Sequence, residues 1–314
     1  MRAEFSLLIA AVVAGAVALP LAAAWRESLR LTNPGGYVHP LPADFSFGAT
    51  PASAHGLPYE DFEVVAINGV RIRGWLMPAA GDATDMAVVM LHGRAGDRIS
   101  LLPHARIAHD AGASVALIDL RENGQSDGAG RGTALAMREA EDGVLVAEAM
   151  RRRGYAKVVL FGCSLGASAA ILAAARDPKI SGVIAEGTIQ SFEAYFSDVT
   201  AARLARLGLE ARWLASAWGR MVVFVTQLRL GLRPLERPID RIEAIAPRPV
   251  LLIHGAQDAE VPPTHGRDLA NRGGSNVDLW VMQDANHCNG YAVAPAAYTA
   301  RLQRFLQVVL GRQG

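Results

Sequence analysis

Residues 157–175 read KVVLFGCSLGASAAILAAA, and their order decides the fold. The first six, KVVLFG, are a continuous apolar run with β-branched residues, the pattern of a strand buried on both faces. From residue 165 onward LGASAAILAAA is rich in Ala and Leu, the composition of a helix. Between them stands Gly162-Cys163-Ser164-Leu165-Gly166, which fits G-x-S-x-G. Five-residue patterns arise by chance, and the context gives this one its force. A sharp strand-to-helix turn needs glycines beside the serine, because side chains there would collide with neighbouring backbone. The turn lifts the hydroxyl out of the sheet and aims it into a cleft. A serine that only caps the helix is the alternative.

Working outward, the same alternation recurs. Residues 61–67 and 70–77 read as strands joined by an Asn68-Gly69 turn. Strands are predicted at 87–91, 114–118, 180–185, 249–254 and 277–282. Helices are predicted at 98–111, 133–153, 165–176, 264–272 and 296–311. Apolar strands alternating with helices predict an α/β fold whose central sheet is mostly parallel and flanked by helices. Residues 188–247 interrupt this rhythm with an amphipathic helical insertion containing Trp213, Trp218, Phe224 and Leu228. Between positions 200 and 241 it carries eight arginines and three acids. It reads as a cap over the carboxyl ends of the strands, where ligands bind in such sheets. Its arginines form either a solvated face or a contact for anions.

A serine hydroxyl needs a base. His287, in ANHCNG just after the last strand, lies where a loop can reach back over the sheet. His92 and His254 end strands in His-Gly turns and read as structural. The base needs an acceptor that fixes its tautomer. Asp258, in GAQDAEVP after strand 249–254, fills that place, with Glu186 as main rival and Asp284 as a weaker one. An oxyanion needs backbone donors. The amides of Leu165 and of Arg94, in the loop HGRAGD after strand 87–91, are the candidates. Cys163 and Cys288 each adjoin a candidate residue. They are expected to be separate packed thiols, because neighbours of an elbow serine point away from the cleft. No metal-ligand spacing, phosphate-cradling loop or dinucleotide fingerprint is found, so neither metal nor cofactor is implied.

The 314 residues include 31 basic and 30 acidic side chains, with 51% hydrophobic and 19% charged residues. That excludes a disordered chain and argues against nucleic acid as a partner. The amino terminus holds 20 uncharged residues at positions 5–24. That length would span a bilayer as a helix. Residues 1–25 are therefore expected to be a membrane anchor with a single span. The alternative is a cleaved signal peptide and a secreted or periplasmic protein. Residues 26–57 read as a Pro-rich linker, and 58–314 as the main domain with the cap at about 188–247.

These residues resemble the α/β-hydrolase superfamily across about 58–314. The wording looks like its membrane-anchored branch with serine-aminopeptidase-like or Bem46-like domains. Gly74-Trp75-Leu76-Met77-Pro78 matches that branch's G-W-x-x-P. LHGRAGDR and DLRENGQSDG resemble its HGNAGNR and D-x-R-G-x-G-x-S-x-G, with Arg94 where asparagine is frequent and Glu122 where glycine is usual. The chain order Ser164, Asp258, His287 is that of the superfamily. The resemblance implies a serine hydrolase acting on carboxylic esters or thioesters. Amide or peptide hydrolysis is the first alternative, and a non-catalytic binding protein on the same fold the second. The expected partners are a small-molecule or lipid-like acyl substrate and a membrane surface.

Overall fold

The computed structural model describes residues 18–33, 48–66, 68–79, 85–232 and 235–312. Two compact units are present: Met1–Asn33 with Phe192–Leu235, and Pro34–Ser191 with Glu236–Gly314.

The larger unit holds one eight-stranded sheet. Its strands are β1 (Glu60–Val65), β2 (Arg71–Met77), β3 (Met86–Leu91), β4 (Ser114–Ile118), β5 (Lys157–Cys163), β6 (Gly182–Glu186), β7 (Val250–Gly255) and β8 (Val277–Met282). In space they run β1-β2-β4-β3-β5-β6-β7-β8. The pairs β1–β2 and β2–β4 are antiparallel, and every other pairing is parallel. Among the described residues the helices are α1 (18–32), α2 (Pro51–His55), α3 (Leu102–Asp110), α4 (Met137–Arg152), α5 (Leu165–Arg176), α6 (Phe192–Ala205), α7 (Arg212–Leu230), α8 (Pro238–Arg241), α9 (Thr264–Gly273), α10 (Gly290–Val293) and α11 (Pro295–Val309).

The fully buried strands β3, β4, β6 and β7 are the continuous apolar runs seen in the sequence. Alternate side chains serve opposite faces. Val159 and Phe161 join the cluster built with Leu102 of α3 and Leu302 and Leu306 of α11. Leu91 and Leu160 meet Gly143 of α4, which lies against Ala173 of α5. The predicted helix 133–153 starts late, at Met137, because Leu135 and Ala136 take left-handed backbone with φ of 52° and 67°. The predicted helix 98–111 opens as a 3₁₀ turn over Arg98–Leu101, capped by the Asp97 side chain.

The loop after β4 explains the motif DLRENGQSDG. Asp119 is buried and takes bonds from the Arg98 amide at 2.8 Å, Arg98 Nε at 3.0 Å and the Gln125 amide at 2.7 Å. Buried Arg121 is held by Asp142, with Nε to Oδ1 at 2.9 Å. Glu122, where glycine is usual, has φ of 67°. Left-handed backbone costs a side-chain-bearing residue about 1–2 kcal/mol. Its carboxylate accepts the Ala129 and Gly130 amides at 2.6 and 3.0 Å. Two charge-assisted bonds of about 1 kcal/mol or more each offset that cost. The motif is thus a scaffold for the loop.

In the smaller unit α6 packs on α7, where Gly219 leaves no room for a side chain beside the Glu193 carbonyl. Helix α1 is tied to α7 by Arg229, whose guanidinium donates to Ser28 Oγ at 3.1 Å and to Thr32 Oγ1. The stretch read as a cap, 188–247, is divided: 192–235 lies in this unit, and 188–191 and 236–247 in the larger one. The stretch read as a linker, 26–57, contains the second half of α1 and all of α2, with 34–47 outside the described residues.

The expected membrane span over residues 5–24 is corrected. No helix among the described residues is long and apolar enough to cross a membrane. Residues 1–17 lie outside the described residues. The part that is described, 18–24, lies in α1, which runs on through Arg26, Glu27 and Arg30. Those charges lie just beyond the uncharged run, so the described helix that residues 18–24 share with them is not an apolar one. The membrane location built on that span falls with it.

Candidate active site

Ser164 sits at the turn from β5 into α5 with φ of 53° and ψ of −115°. Such backbone costs a residue with a side chain on the order of 1–3 kcal/mol and persists only where the surroundings over-determine it. Here they do. The Ser164 amide donates to the Glu186 carbonyl at the end of β6 at 2.8 Å, and the Ser164 carbonyl accepts the Ser168 amide at 3.1 Å. A side chain on Gly162 would strike the Gly166 carbonyl, and one on Gly166 would strike the Leu91 and His92 carbonyls. The two glycines of the pentapeptide therefore let α5 fold back against β5 and against the loop after β3.

His287 lies in the loop after β8, and Asp258 in the loop after β7. Asp258 is 4% exposed. Its Oδ1 accepts the Glu260 and Val261 amides at 3.0 and 2.8 Å, and its Oδ2 lies 2.7 Å from His287 Nδ1. A carboxylate only accepts, so the proton of the neutral ring is on Nδ1. That leaves Nε2 as acceptor for the Ser164 hydroxyl at 2.9 Å. The structure thus brings together Ser164, Asp258 and His287 in one hydrogen-bonded line.

The loop after β3 runs beside the elbow, because Leu91 pairs in register with Gly162. It carries Arg94, while Leu165 is the first residue of α5. Buried His92 holds this loop: its Nδ1 lies 2.7 Å from the Gly93 carbonyl, and its Nε2 accepts the Leu120 amide at 3.0 Å. His254 is also structural, with Nε2 at 2.8 Å from the Val261 carbonyl. Burial lowers the pKa of both rings and favours their neutral forms.

Glu186, the main rival for the acid, is elsewhere engaged. Its Oε1 accepts the Gly290 amide at 3.0 Å and its Oε2 the Tyr298 hydroxyl at 2.5 Å. Burial raises its pKa. It anchors the end of the histidine loop to α11. Nothing local in the sequence marks Tyr298 for this contact, since it reads as one more apolar position on an amphipathic helix. His104, whose pKa burial pushes down to about 4, packs its neutral ring near Phe161, Tyr291 and Tyr298. Asp284, the weaker rival, is exposed.

The expectation for the cysteines is corrected. Cys163 and Cys288 form a disulfide, with Cα atoms 6.3 Å apart. Cys288 has φ of 50°, which turns its side chain back toward the end of β6. Gly187 there has no side chain; a Cβ on it would lie 2.9 Å from Cys288 Sγ and 3.0 Å from His287 Cε1. An elbow residue such as Cys163 can point away from the cleft and still be met by Cys288, because the histidine loop reaches back to the end of β6.

Burial disfavours the His287 imidazolium, but the Asp258 hydrogen bond and charge, with Glu260 and Glu186 adding to them, outweigh it, so the pKa is raised above 6.5. A base works in its neutral form. Activity that depends on His287 is therefore expected to fall as pH drops through that raised pKa, with the acid limb of kcat/KM centred above 6.5. A pH–rate profile checks this, and a limb centred well below that value contradicts it.

Residues 88–301 match the alpha/beta hydrolase family, and the chain belongs to that family. It is 30% identical over 280 residues to the uncharacterised protein Rv2307c of Mycobacterium tuberculosis, covering 85% of this chain and 87% of that protein. Among solved structures it resembles the Pyrococcus furiosus esterase Pf2001 with a TM-score of 0.67 and 23% identity, over 87% of this chain and 98% of that one. It also resembles the alpha/beta hydrolase GrgF from Penicillium sp. sh18, with a TM-score of 0.65 and 20% identity, over 81% of this chain and 100% of that one. At these identities the structural likeness is one of fold.

Proposed function

We propose that this α/β hydrolase is a serine hydrolase that cleaves carboxylic esters or thioesters through an acyl-enzyme on Ser164. The observation that carries the reading is the continuous hydrogen-bonded line from Ser164 Oγ through His287 to Asp258. In this reading Ser164 Oγ attacks the acyl carbonyl as His287 Nε2 takes its proton. The amides of Leu165 and Arg94 receive the negative charge on the carbonyl oxygen. The C–O or C–S bond then breaks, and His287 returns the proton to the departing alcohol or thiol. Water, deprotonated by the same nitrogen, attacks the acyl-enzyme and releases the acid, restoring the Ser164 hydroxyl. Asp258 keeps Nε2 as the acceptor and stabilises the imidazolium. The occupant is a small-molecule acyl compound. The esterase neighbour favours esters over amides. Within the family we infer a Bem46-like chain, a reading that the segments Gly74–Pro78 and HGRAGDR support.

A fluorophosphonate probe tests the reading. It is expected to label Ser164 in the wild-type chain and to leave Ser164→Ala unlabelled. A screen over p-nitrophenyl esters, thioesters and aminoacyl amides is expected to give turnover on the first two classes. Labelling that survives the substitution, or faster turnover of amides than of esters, contradicts it.

A further inference from the structure

The Cys163–Cys288 bridge does more than join two distant parts of the chain. Its cysteines stand 125 residues apart in sequence. One directly precedes Ser164 and the other directly follows His287. The sheet order places β6 and β7 between β5, which ends at the serine, and β8, which leads into the histidine loop. At about 4.8 Å per strand, β8 lies roughly 14 Å from β5. The loop must therefore reach back across two strands to set Nε2 at 2.9 Å from Ser164 Oγ. Non-covalent ties hold the loop on both sides of the ring, through the Gln257 amide on the Ala285 carbonyl at 3.0 Å, the Asn286 amide on Asn289 Oδ1 at 2.7 Å and the Gly290 amide on Glu186, and Asp258 holds the ring at Nδ1. At the ring itself, the covalent tie is the disulfide. Both cysteines are half-buried rather than enclosed in the core.

We propose that the disulfide is a positioning device that makes hydrolysis depend on thiol oxidation state: the oxidised chain holds His287 on Ser164, and reduction releases it. The step balances. One thiolate of a dithiol attacks a sulfur of the bridge, forming a mixed disulfide and freeing one cysteine thiolate. The second thiol displaces the other cysteine. Two electrons and two protons thus pass from the dithiol to Cys163 and Cys288, leaving two thiols and an oxidised reagent. Air or oxidised glutathione reverses it. Cys163 and Cys288 act through Ser164 and His287 and are positioning residues. The inference rests on the serine-hydrolase reading.

The full chain is assayed on a p-nitrophenyl ester before and after dithiothreitol, with free thiols counted in each state. A misplacement of about 1 Å costs on the order of 10²-fold in rate. Reduction is therefore expected to lower kcat by roughly 10- to 100-fold with KM within about twofold. The acid limb of kcat/KM should move down toward 6.5 as the Asp258–His287 contact loosens. Reoxidation should restore both. The Cys163→Ala/Cys288→Ala chain should match the reduced wild type and ignore the reagent. Unchanged kcat with two counted thiols overturns the inference. So does a loss of activity that parallels a loss of near-ultraviolet circular dichroism, since the bridge then holds the fold at large. An oxidised chain that neither hydrolyses esters nor takes the fluorophosphonate at Ser164 overturns the hydrolase reading, and this inference with it.

Discussion

Ser164→Ala is expected to lower ester kcat by about 10⁶-fold, the loss seen when a serine nucleophile acting with its base is removed. Fold stability should barely move. The hydroxyl does not cap α5. The two bonds that hold the elbow, Ser164 amide to Glu186 carbonyl and Ser168 amide to Ser164 carbonyl, are backbone bonds that alanine keeps. What is lost is one hydrogen bond to His287, a matter of about 1 kcal/mol. Single-turnover kinetics beside a thermal melt makes the comparison. An alanine chain that melts like wild type yet keeps more than a few per cent of its turnover removes Ser164 from the chemistry.

Asp258→Asn should cost on the order of 10⁴-fold in kcat, and the geometry says why. Oδ1 is held by the Glu260 and Val261 amides. In asparagine the side-chain oxygen must stay with those two donors, so the NH₂ group takes the place of Oδ2 and faces His287 Nδ1. Two donors cannot face each other, and the ring changes tautomer. Nε2 then carries the proton and no longer accepts from Ser164. Glu186→Gln sets the contrast. Its oxygen can still accept the Gly290 amide, and its contact with Tyr298 lies away from the ring line. The expected loss is about tenfold or less, which is the size of a loosened support. A crippling Glu186→Gln beside a mild Asp258→Asn would show that the wrong carboxylate has been assigned.

The strand, turn and helix around Ser164 are legible because their signals are local: apolar run, paired glycines, alanine-rich helix. The strand ends that bear Asp258 and His287 are legible for the same reason, and chain order pairs them. The bridge between Cys163 and Cys288 is not, since it depends on how far one loop reaches across two strands. Nor is Glu186 as the anchor of that loop, because its partners Gly290 and Tyr298 are set by packing. Glu122 departs from the family pattern in a way only the structure explains, through two amides that its carboxylate holds. The amino-terminal run 5–24 reads as a span on length and lack of charge, while the continuation of its described end into a helix tied to α7 by Arg229 is set by packing.

The placement of the three residues along the chain has a consequence for biogenesis. A ribosome delivers Ser164 long before His287, and in the native sheet β6 and β7 lie between β5 and the strand that leads to the histidine loop. During that interval the emerging polypeptide carries a serine with no base and a cysteine with no mate. The native geometry that brings the two sulfurs together has β8 paired with β7 at the edge of the sheet. If Ser164 and His287 act as proposed, nucleophile and base meet only once the sheet is assembled to its far edge, and hydrolytic competence is expected to be acquired late in folding.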